Sequence, residues 1–192
     1  EWNPEIAEKD GVGGSEEAVI NISKRLVGLG WNVTVYNNCG KENKVYDGVK
    51  YKHWWEWNHR DKQDVTVIWR HPKPVDYDIN SEKIFIDMHD VISDGEFTKN
   101  RLAKIDGVFL KTNAHKRIYP SIPDDKAIII PNGIDISMFE QKVERNPYLI
   151  LNTSSADRHL ESTLDVFEAL IKKSDKPWKL AWYYGWGIYD QV

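Results

Sequence analysis

The sequence predicts an α/β fold: a Rossmann-like, mostly parallel sheet with flanking helices, followed by an incomplete second unit of the same kind. Short apolar runs alternate with helical stretches along the chain, and each run ends in polar or turn residues. Strands that alternate with helices are joined by crossover connections, which make neighbouring strands parallel and place helices on the sheet faces. A glycine-rich turn, Gly11–Glu16, also opens the first helix.

The first helix is predicted over Ser15–Gly30, where Val19, Ile22, Leu26 and Leu29 recur at helical spacing. Ser15 can cap its start, and glycines follow its last turn. Apolar runs with turn signals after them predict parallel strands at 32–36, 64–69, 83–87, 107–110 and 127–130. Shorter helices are predicted around 97–104 and 113–119.

Two stretches depart from this rhythm. Residues 41–63 are rich in Trp, Tyr and His, and predict an extra hairpin or an irregular edge. A glycine-rich turn that feeds a helix normally follows a strand, yet residues 1–10 contain no strand-like run. We therefore expect the first strand of the sheet, central in this topology, to be absent from the sequence.

A domain boundary is predicted where polar residues dominate, over 140–146. Residues 1–142 then form the N-terminal Rossmann-like domain, and 143–192 form the start of a second domain. That segment predicts strand 148–151, helix 159–173 and strand 178–184, with Leu160, Leu164, Phe167 and Ile171 on one helix face. One βαβ unit is too small to bury a sizeable core, so the second domain is expected to be truncated.

Composition excludes several classes of protein. A net charge of −4 gives no basis for a nucleic-acid surface, and no apolar run approaches the ~20 residues of a transmembrane segment. Cys39 is the single cysteine, which rules out an internal disulfide and favours a reducing compartment. We therefore expect a cytoplasmic protein, and Cys39 is disfavoured as a catalytic thiol.

The first candidate site is the turn Gly11–Glu16. Adjacent glycines at a helix start let backbone N–H groups approach a phosphate or diphosphate, although a plain flexible turn is an equal alternative. Glu16 and Glu17 would repel a phosphate, so we expect both to point away. A dinucleotide fingerprint is not met, because Glu16 takes the third glycine position and no carboxylate ends the next strand.

The second candidate is Asp87–Asp90, at the end of a predicted strand. His89 there could hydrogen-bond a sugar hydroxyl or position an acceptor; the alternative is a histidine satisfied by its neighbours. No further ligands accompany these side chains, so no metal is expected. Asn132 and Gly133 form a turn signal after another strand, and Arg158 is placed like a phosphate-clamping cation or, alternatively, is a surface residue.

Nine tryptophans are the unusual feature of the composition. An aromatic ring suits the apolar face of a pyranose, so one or two of them are candidates for sugar contact. The remainder are expected to fill the core or a domain interface.

Taken in order, these segments resemble the retaining GT-B glycosyltransferases of the group 1 or family 4 type. The resemblance covers almost the whole chain and is carried by Gly13–Glu16, Leu26–Gly30, Val33–Val35, Asp87–Asp90, Ile130–Asp135 with Phe139, and Asn152–Arg158. Members of that family have two Rossmann-like domains that face each other across a cleft, with the acceptor mainly on the first and the donor mainly on the second.

The resemblance implies transfer of a sugar from a nucleotide sugar to a sugar, glycan or lipid acceptor with retention of configuration, without a metal or other cofactor. Carried over by match, Gly13 and Gly14 contact the donor diphosphate, and His89, the catalytic candidate, lies near the transferred sugar. Arg158 approaches the diphosphate and stabilises the charge of the leaving group. The residues Asn132, Gly133, Asp135 and Ser154 are expected to shape the cleft.

Two departures from the family pattern matter. The lysine that often follows the arginine of the diphosphate clamp is missing after Arg158. The family's paired glutamates fall past the equivalent of Val192, so we expect this chain alone to be inactive and the hexosyltransferase activity to belong to the parent protein. The alternatives are a GT-B nucleotide-sugar epimerase and a non-catalytic GT-B remnant that binds a nucleotide or a partner.

Overall fold

The computed structural model describes residues 1–183, and it divides the chain into two compact units, Glu1–Ile134 and Asp135–Val192. The predicted boundary lay after residue 142. Among the described residues, the first unit contains two sheets and the second contains one.

The first unit begins with helix α1, Pro4–Asp10, rather than with a strand. Asn3 caps it by accepting a hydrogen bond from the Ile6 N–H, and Pro4 occupies the first turn, where a missing N–H costs nothing. Helix α2, Gly14–Gly28, follows directly. Ser15 was expected to cap α2, and this was wrong: the N-cap is Gly13, and the Ser15 hydroxyl donates to Glu16 instead.

Three strands form the first sheet: β1 Thr34–Asn37, β2 Lys44–Tyr46 and β3 Val49–His53. The predicted hairpin within residues 41–63 is confirmed, because β2 and β3 pair antiparallel. Asp47 and Gly48 join them with φ of 48° and 81°, the left-handed pair that a tight hairpin turn requires. β3 also pairs parallel with β1, which gives the order β1-β3-β2.

The second sheet confirms the predicted α/β class and the parallel arrangement. It contains β4 Gln63–Trp69, β5 Ser81–Asp87, β6 Gly107–Leu110 and β7 Ala127–Ile129, all parallel and in the order β4-β5-β6-β7. Helices α3, Lys99–Ala103, and α4, Asn113–Ile118, lie in the connections between β5, β6 and β7. Each begins after a threonine whose hydroxyl accepts a helix N–H, Thr98 or Thr112.

The first unit has one apolar core on its first sheet, around Val49 and Tyr51, and a larger one on this second sheet. The members of the larger core are apolar side chains from the strands and from the segments that cover them: Ile68, Val75, Ile84, Ile86, Met88, Phe97, Leu102, Ile105, Val108, Leu110, Tyr119 and Ile122. In β6, buried residues do not simply alternate with more exposed ones, because Gly107, Val108 and Leu110 are all buried. A strand buried on both faces in this way is typical of a parallel sheet covered by helices.

The N-terminal residues connect the two sheets. The Trp2 N–H donates to the carbonyl of Asn38, just after β1, at 2.8 Å, and its carbonyl accepts from the Asn37 amide at 2.7 Å. The Trp2 ring also packs edge-on against Trp69, at the end of β4, with 5.5 Å between ring centroids. The carboxyl ends of β1 and β4 therefore lie on the same side of the first unit.

The second unit is the predicted βαβ element. Within its described residues this element comprises β8 Leu149–Asn152, helix α5 Leu160–Lys173 and β9 Lys179–Trp182, with β8 and β9 parallel. The strand predicted to reach residue 184 ends earlier, and that residue lies outside the described part. Among residues 135–183, none whose burial is described is buried.

The predicted inner face of α5 was partly wrong. The half-buried residues of the helix are Leu160, Thr163, Phe167 and Leu170, whereas Leu164 and Ile171 are exposed by 50% and 47%. The observed face includes a threonine, which a search for apolar residues at helical spacing passes over. Of the helices that the structure describes, none combines the length and the apolarity needed to cross a bilayer.

Tyr119→Phe should destabilise the first unit. The Tyr119 ring is fully buried, and its hydroxyl accepts from the Ile92 N–H at 2.9 Å and donates to the Asp90 carbonyl at 3.1 Å. Phenylalanine would leave that N–H without its partner, at a cost of about 1–3 kcal/mol in the free energy of unfolding. Urea denaturation measures it; the control is Tyr77→Phe, at an exposed tyrosine, and equal stability of both variants would contradict the expectation.

Candidate functional site

Polar and charged side chains collect where the parallel strands of the second sheet end. Asp87 is the last residue of β5, Arg70 directly follows β4, and Lys111 directly follows β6. Because these strands are parallel neighbours, their carboxyl ends meet at one edge, which is where open α/β sheets bind ligands. We call this set of residues, with Glu16, His89 and Asp90, the carboxyl-edge cluster.

Asp87 is the buried anion of the cluster. Its carboxylate accepts from Lys111 Nζ at 2.6 Å and from His89 Nε2 at 3.0 Å. Burial by itself raises the pKa of Asp87, but the hydrogen bonds from His89 and Lys111 outweigh it, so the pKa lies below the ordinary value of 3.8. The carboxylate is therefore ionised at neutral pH and paired on both oxygens.

His89 is enclosed by its neighbours. Its side chain is 5% exposed, its Nε2–H donates to Asp87, and its ring packs edge-on against Trp69 at 6.4 Å between centroids. Because a carboxylate only accepts hydrogen bonds, the Asp87 contact places the proton on Nε2. The other ring nitrogen, Nδ1, is then a hydrogen-bond acceptor, so a ligand of His89 would have to donate a hydrogen bond to Nδ1.

Arg70 links three elements of the first unit. Its φ of 69° is a left-handed conformation that non-glycine residues rarely adopt and that concentrates at functional sites. The guanidinium pairs with Asp90 through Nε and with Glu16 through Nη1 at 3.3 Å, and it lies over the Trp69 ring at 5.0 Å. The hydrogen bond to Asp90 raises the pKa of Arg70 further above its ordinary value.

Glu16 folds back over the start of α2, which corrects our expectation that it points away. Its carboxylate accepts from the Ser15 hydroxyl at 2.7 Å and pairs with Arg70. A Cβ added to Gly13 would collide with this carboxylate, so any larger residue there would make the Glu16 side chain shift. Glu16 thus places negative charge where the helix N-terminus favours it. Glu17 is exposed, as expected.

The predicted residues Asn132, Gly133 and Asp135 follow the second sheet along the chain. Asn132 and Gly133 follow β7 and are exposed, and a Cβ on Gly133 would meet no atom within 4 Å. Asp135 accepts from the Ser137 N–H and hydroxyl and so caps the short helix Ile136–Phe139. These contacts define a local turn and a helix start.

In the second unit, Ser154 and Arg158 lie between β8 and α5. The Ser154 N–H donates to Asn152 and its carbonyl accepts from the Trp182 indole at 2.8 Å, which ties the loop to β9. Arg158 is exposed and precedes His159, the N-cap of α5, whose φ is 62°. Arg158 also lines a cavity of about 340 Å³ whose other walls are mainly apolar side chains of β8, α5 and β9.

The carboxyl-edge cluster unites two of the predicted sites and adds residues that the sequence analysis missed. The chain Ser15–Glu16–Arg70–Asp90 joins the glycine turn to the Asp87–Asp90 segment. Arg70 and Lys111 were missed, although the rule that selected His89, a polar residue at a strand end, applies equally to both.

The cluster does not include a metal-binding arrangement. Within residues 1–183, no group of three His, Cys, Asp or Glu side chains is arranged to hold a metal ion. Cys39 is 2% exposed, and burial raises the pKa of its thiol, which keeps it protonated and weakly nucleophilic.

Comparison with known proteins returned no match to any family model, to any curated protein or to any solved structure. The carboxyl-edge cluster and the resemblance of the sequence segments are therefore the observations on which a function can be argued.

Asp87→Asn should lower the free energy of unfolding by about 3 kcal/mol at neutral pH, because it leaves Lys111, 16% exposed, without its counter-charge. Asp87 has a depressed pKa in the folded state, so its contribution is complete above the unfolded value and is lost as the pH falls through the folded value. The stability difference between wild type and variant should therefore close below pH 3.8.

The matched control is Asp78→Asn, at an almost fully exposed carboxylate that pairs with Lys104. It should leave the urea midpoint unchanged within error. A stability difference at Asp87 that persists unchanged at acid pH would contradict the assignment.

Proposed function

We propose that the protein is a retaining glycosyltransferase of the GT-B type, which transfers a sugar from a nucleotide sugar to a sugar, glycan or lipid acceptor. The observation that carries the proposal is the ion-pair chain from Glu16 through Arg70 to Asp90. It brings the predicted phosphate-binding turn and the predicted sugar-binding segment to one edge of the first unit.

The glycine turn is proposed to receive the donor diphosphate. Backbone N–H groups at the start of α2 and the helix dipole favour an anion. Glu16 now holds negative charge at that position, so a diphosphate must displace its carboxylate. Arg70 would exchange the Glu16 carboxylate for a phosphate oxygen, with charge-assisted hydrogen bonds in both states.

His89 is proposed to bind the transferred sugar. Asp87 fixes the ring and holds the proton on Nε2, which leaves Nδ1 as an acceptor for a sugar hydroxyl. Because Lys111 also pairs with Asp87 at 2.6 Å, the carboxylate is shared between two donors. His89 then serves as a fixed hydrogen-bond partner for the sugar.

Arg158 is proposed to stabilise the leaving nucleoside diphosphate. Bond cleavage at the anomeric carbon leaves negative charge on the phosphate oxygen, and a preplaced cation lowers the energy of that state. The guanidinium is exposed and precedes the first turn of α5. Cationic and backbone groups of this kind supply the charge stabilisation that a metal ion provides in other enzymes.

The proposal is tested with the protein expressed from its complete gene. Incubated with UDP-, GDP- and ADP-sugars and a panel of sugar acceptors, it should transfer from at least one donor, and ¹H NMR should show retained configuration at the new bond. Inverted configuration, or no transfer from any donor, would contradict the proposal.

His89→Ala should reduce that transfer about a hundredfold or more, far beyond its effect on folding, because it removes a positioned hydrogen bond to the reacting sugar. The stability control is Lys126→Met, which removes hydrogen bonds to the Leu102 and Ile105 carbonyls ahead of β7, away from the carboxyl edge. If both variants lose transfer only in proportion to their unfolded fraction, His89 has a structural role alone.

Arg158→Ala should weaken binding of the preferred nucleoside diphosphate by about 10- to 100-fold, since a charge-assisted contact contributes about 1.5–3 kcal/mol. Calorimetric titration with UDP, GDP and ADP measures the loss. Arg145→Ala, at another exposed arginine of the second unit, is the control and should change the affinity little. If the two variants bind the nucleoside diphosphate with equal affinity, Arg158 is not part of the donor site.

A further inference from the structure

Two exposed tryptophans and a half-buried histidine form an aromatic group at the carboxyl end of β3. We call His53, Trp54 and Trp55 the aromatic platform. The His53 and Trp55 rings stack at 4.1 Å with an angle of 9°, and the Trp54 ring stands against Trp55 at 5.6 Å and 82°. Trp54 and Trp55 are 62% and 60% exposed, although large aromatic residues ordinarily contribute buried area.

The platform is held in place by hydrogen bonds from a neighbouring loop. Asn43 accepts from the His53 N–H at 3.1 Å, and its amide donates to the Glu56 carboxylate at 2.7 Å. His53 stacks on one face of Trp55, and Trp54 packs edge-on against the same residue. The polar amide–carboxylate pair of Asn43 and Glu56 lies beside these rings.

These features match the chemistry of a pyranose. Its C–H face is apolar and packs on an aromatic ring, while its hydroxyls need donors and acceptors at the ring margin, which Asn43 and Glu56 supply. The perpendicular Trp54 and Trp55 rings form a corner that can hold one face and one edge of a single sugar ring.

A protein partner fits the platform less well. Surfaces that dock proteins combine aromatic with aliphatic side chains in their centres and are depleted of lysine and glutamate. Around the platform the sequence from Lys50 to Lys62 holds no aliphatic residue, and lysine, glutamate, arginine and aspartate alternate with the aromatic rings. A neutral ligand rich in hydroxyls suits such a mixed surface.

The platform lies on the same side of the first unit as the carboxyl-edge cluster. β3 runs parallel to β1, so both strands end at one edge. Trp2 connects that edge to Trp69 beside Arg70 and His89, through its hydrogen bond to Asn38 and its ring contact. A saccharide on the platform is therefore placed on the ligand-binding edge of the unit.

We propose that the aromatic platform is a binding site for a carbohydrate acceptor, with a pyranose ring of an oligosaccharide packed in the corner of Trp54 and Trp55. The role of the bound glycan as an acceptor rests on the proposed function, but its binding to the platform does not require any transfer reaction. It narrows the acceptor from the classes of sugar, glycan and lipid to a glycan.

The test is titration of the protein with maltohexaose and with cellohexaose, followed by tryptophan fluorescence and calorimetry. At least one of the two should bind, and Trp54→Ala and Trp55→Ala should each weaken that binding by about tenfold, because each removes an aromatic contact face. Trp31→Ala, at an exposed tryptophan after α2, is the control and should bind as the wild type does.

Failure of both oligosaccharides to bind, or equal binding by all three variants, would overturn the proposal. Binding to lipid vesicles, or self-association that Trp54→Ala abolishes, in place of oligosaccharide binding would also overturn it in favour of those partners. Nucleoside diphosphate titrations of the same variants separate the two proposals. Oligosaccharide binding without any nucleotide binding would support the platform as a carbohydrate site and would contradict the proposed glycosyltransferase function.

Discussion

The neutralisation of Asp87 is the constraint on which the carboxyl edge of the second sheet depends. A carboxylate that is 10% exposed is costly unless each oxygen is paired. Lys111 and His89 provide the pairing from neighbouring segments, and the Asp87 carbonyl in turn accepts from the Arg70 N–H at 2.8 Å. These contacts fix the positions of the carboxyl ends of β4, β5 and β6 relative to one another.

Arg70 extends this arrangement from the sheet to helix α2. Its guanidinium carries one positive charge between the carboxylates of Asp90 and Glu16, so the group as it stands has an excess of negative charge. An anionic ligand can enter only if it replaces Glu16, and a ligand that does so keeps the charge-assisted contact of Arg70. The cluster thus favours exchange of one anion for another over binding of a neutral group at that point.

The secondary-structure elements could be predicted from the sequence, whereas the side-chain contacts between them could not. Strand Gly107–Leu110 was predicted with its observed bounds, because its apolar run is short and polar or turn residues bound it. The other strands whose bounds were predicted from apolar runs agree with the structure to within two residues at each end. The sequence did not predict that the Glu16 side chain lies over Gly13. Its direction depends on the ion pair with Arg70, which lies 54 residues further along the chain. Similarly, the inner face of α5 lines a cavity with β8 and β9, and Thr163 belongs to it because its hydroxyl accepts from the Asn152 amide of β8 at 3.0 Å.

The carboxyl edge of the first unit separates two kinds of chemistry. Beside α2 and the ends of β4 to β6 the groups are ionic, and binding there exchanges charges. At the end of β3 the exposed groups are aromatic rings with an amide–carboxylate pair beside them, and binding there removes apolar area from water. Under the proposed function, the ionic groups would contact the anionic donor and the aromatic rings would contact the neutral polyhydroxy acceptor. Trp2 contacts the carboxyl ends of both sheets, because it hydrogen-bonds to Asn38 after β1 and packs against Trp69 at the end of β4.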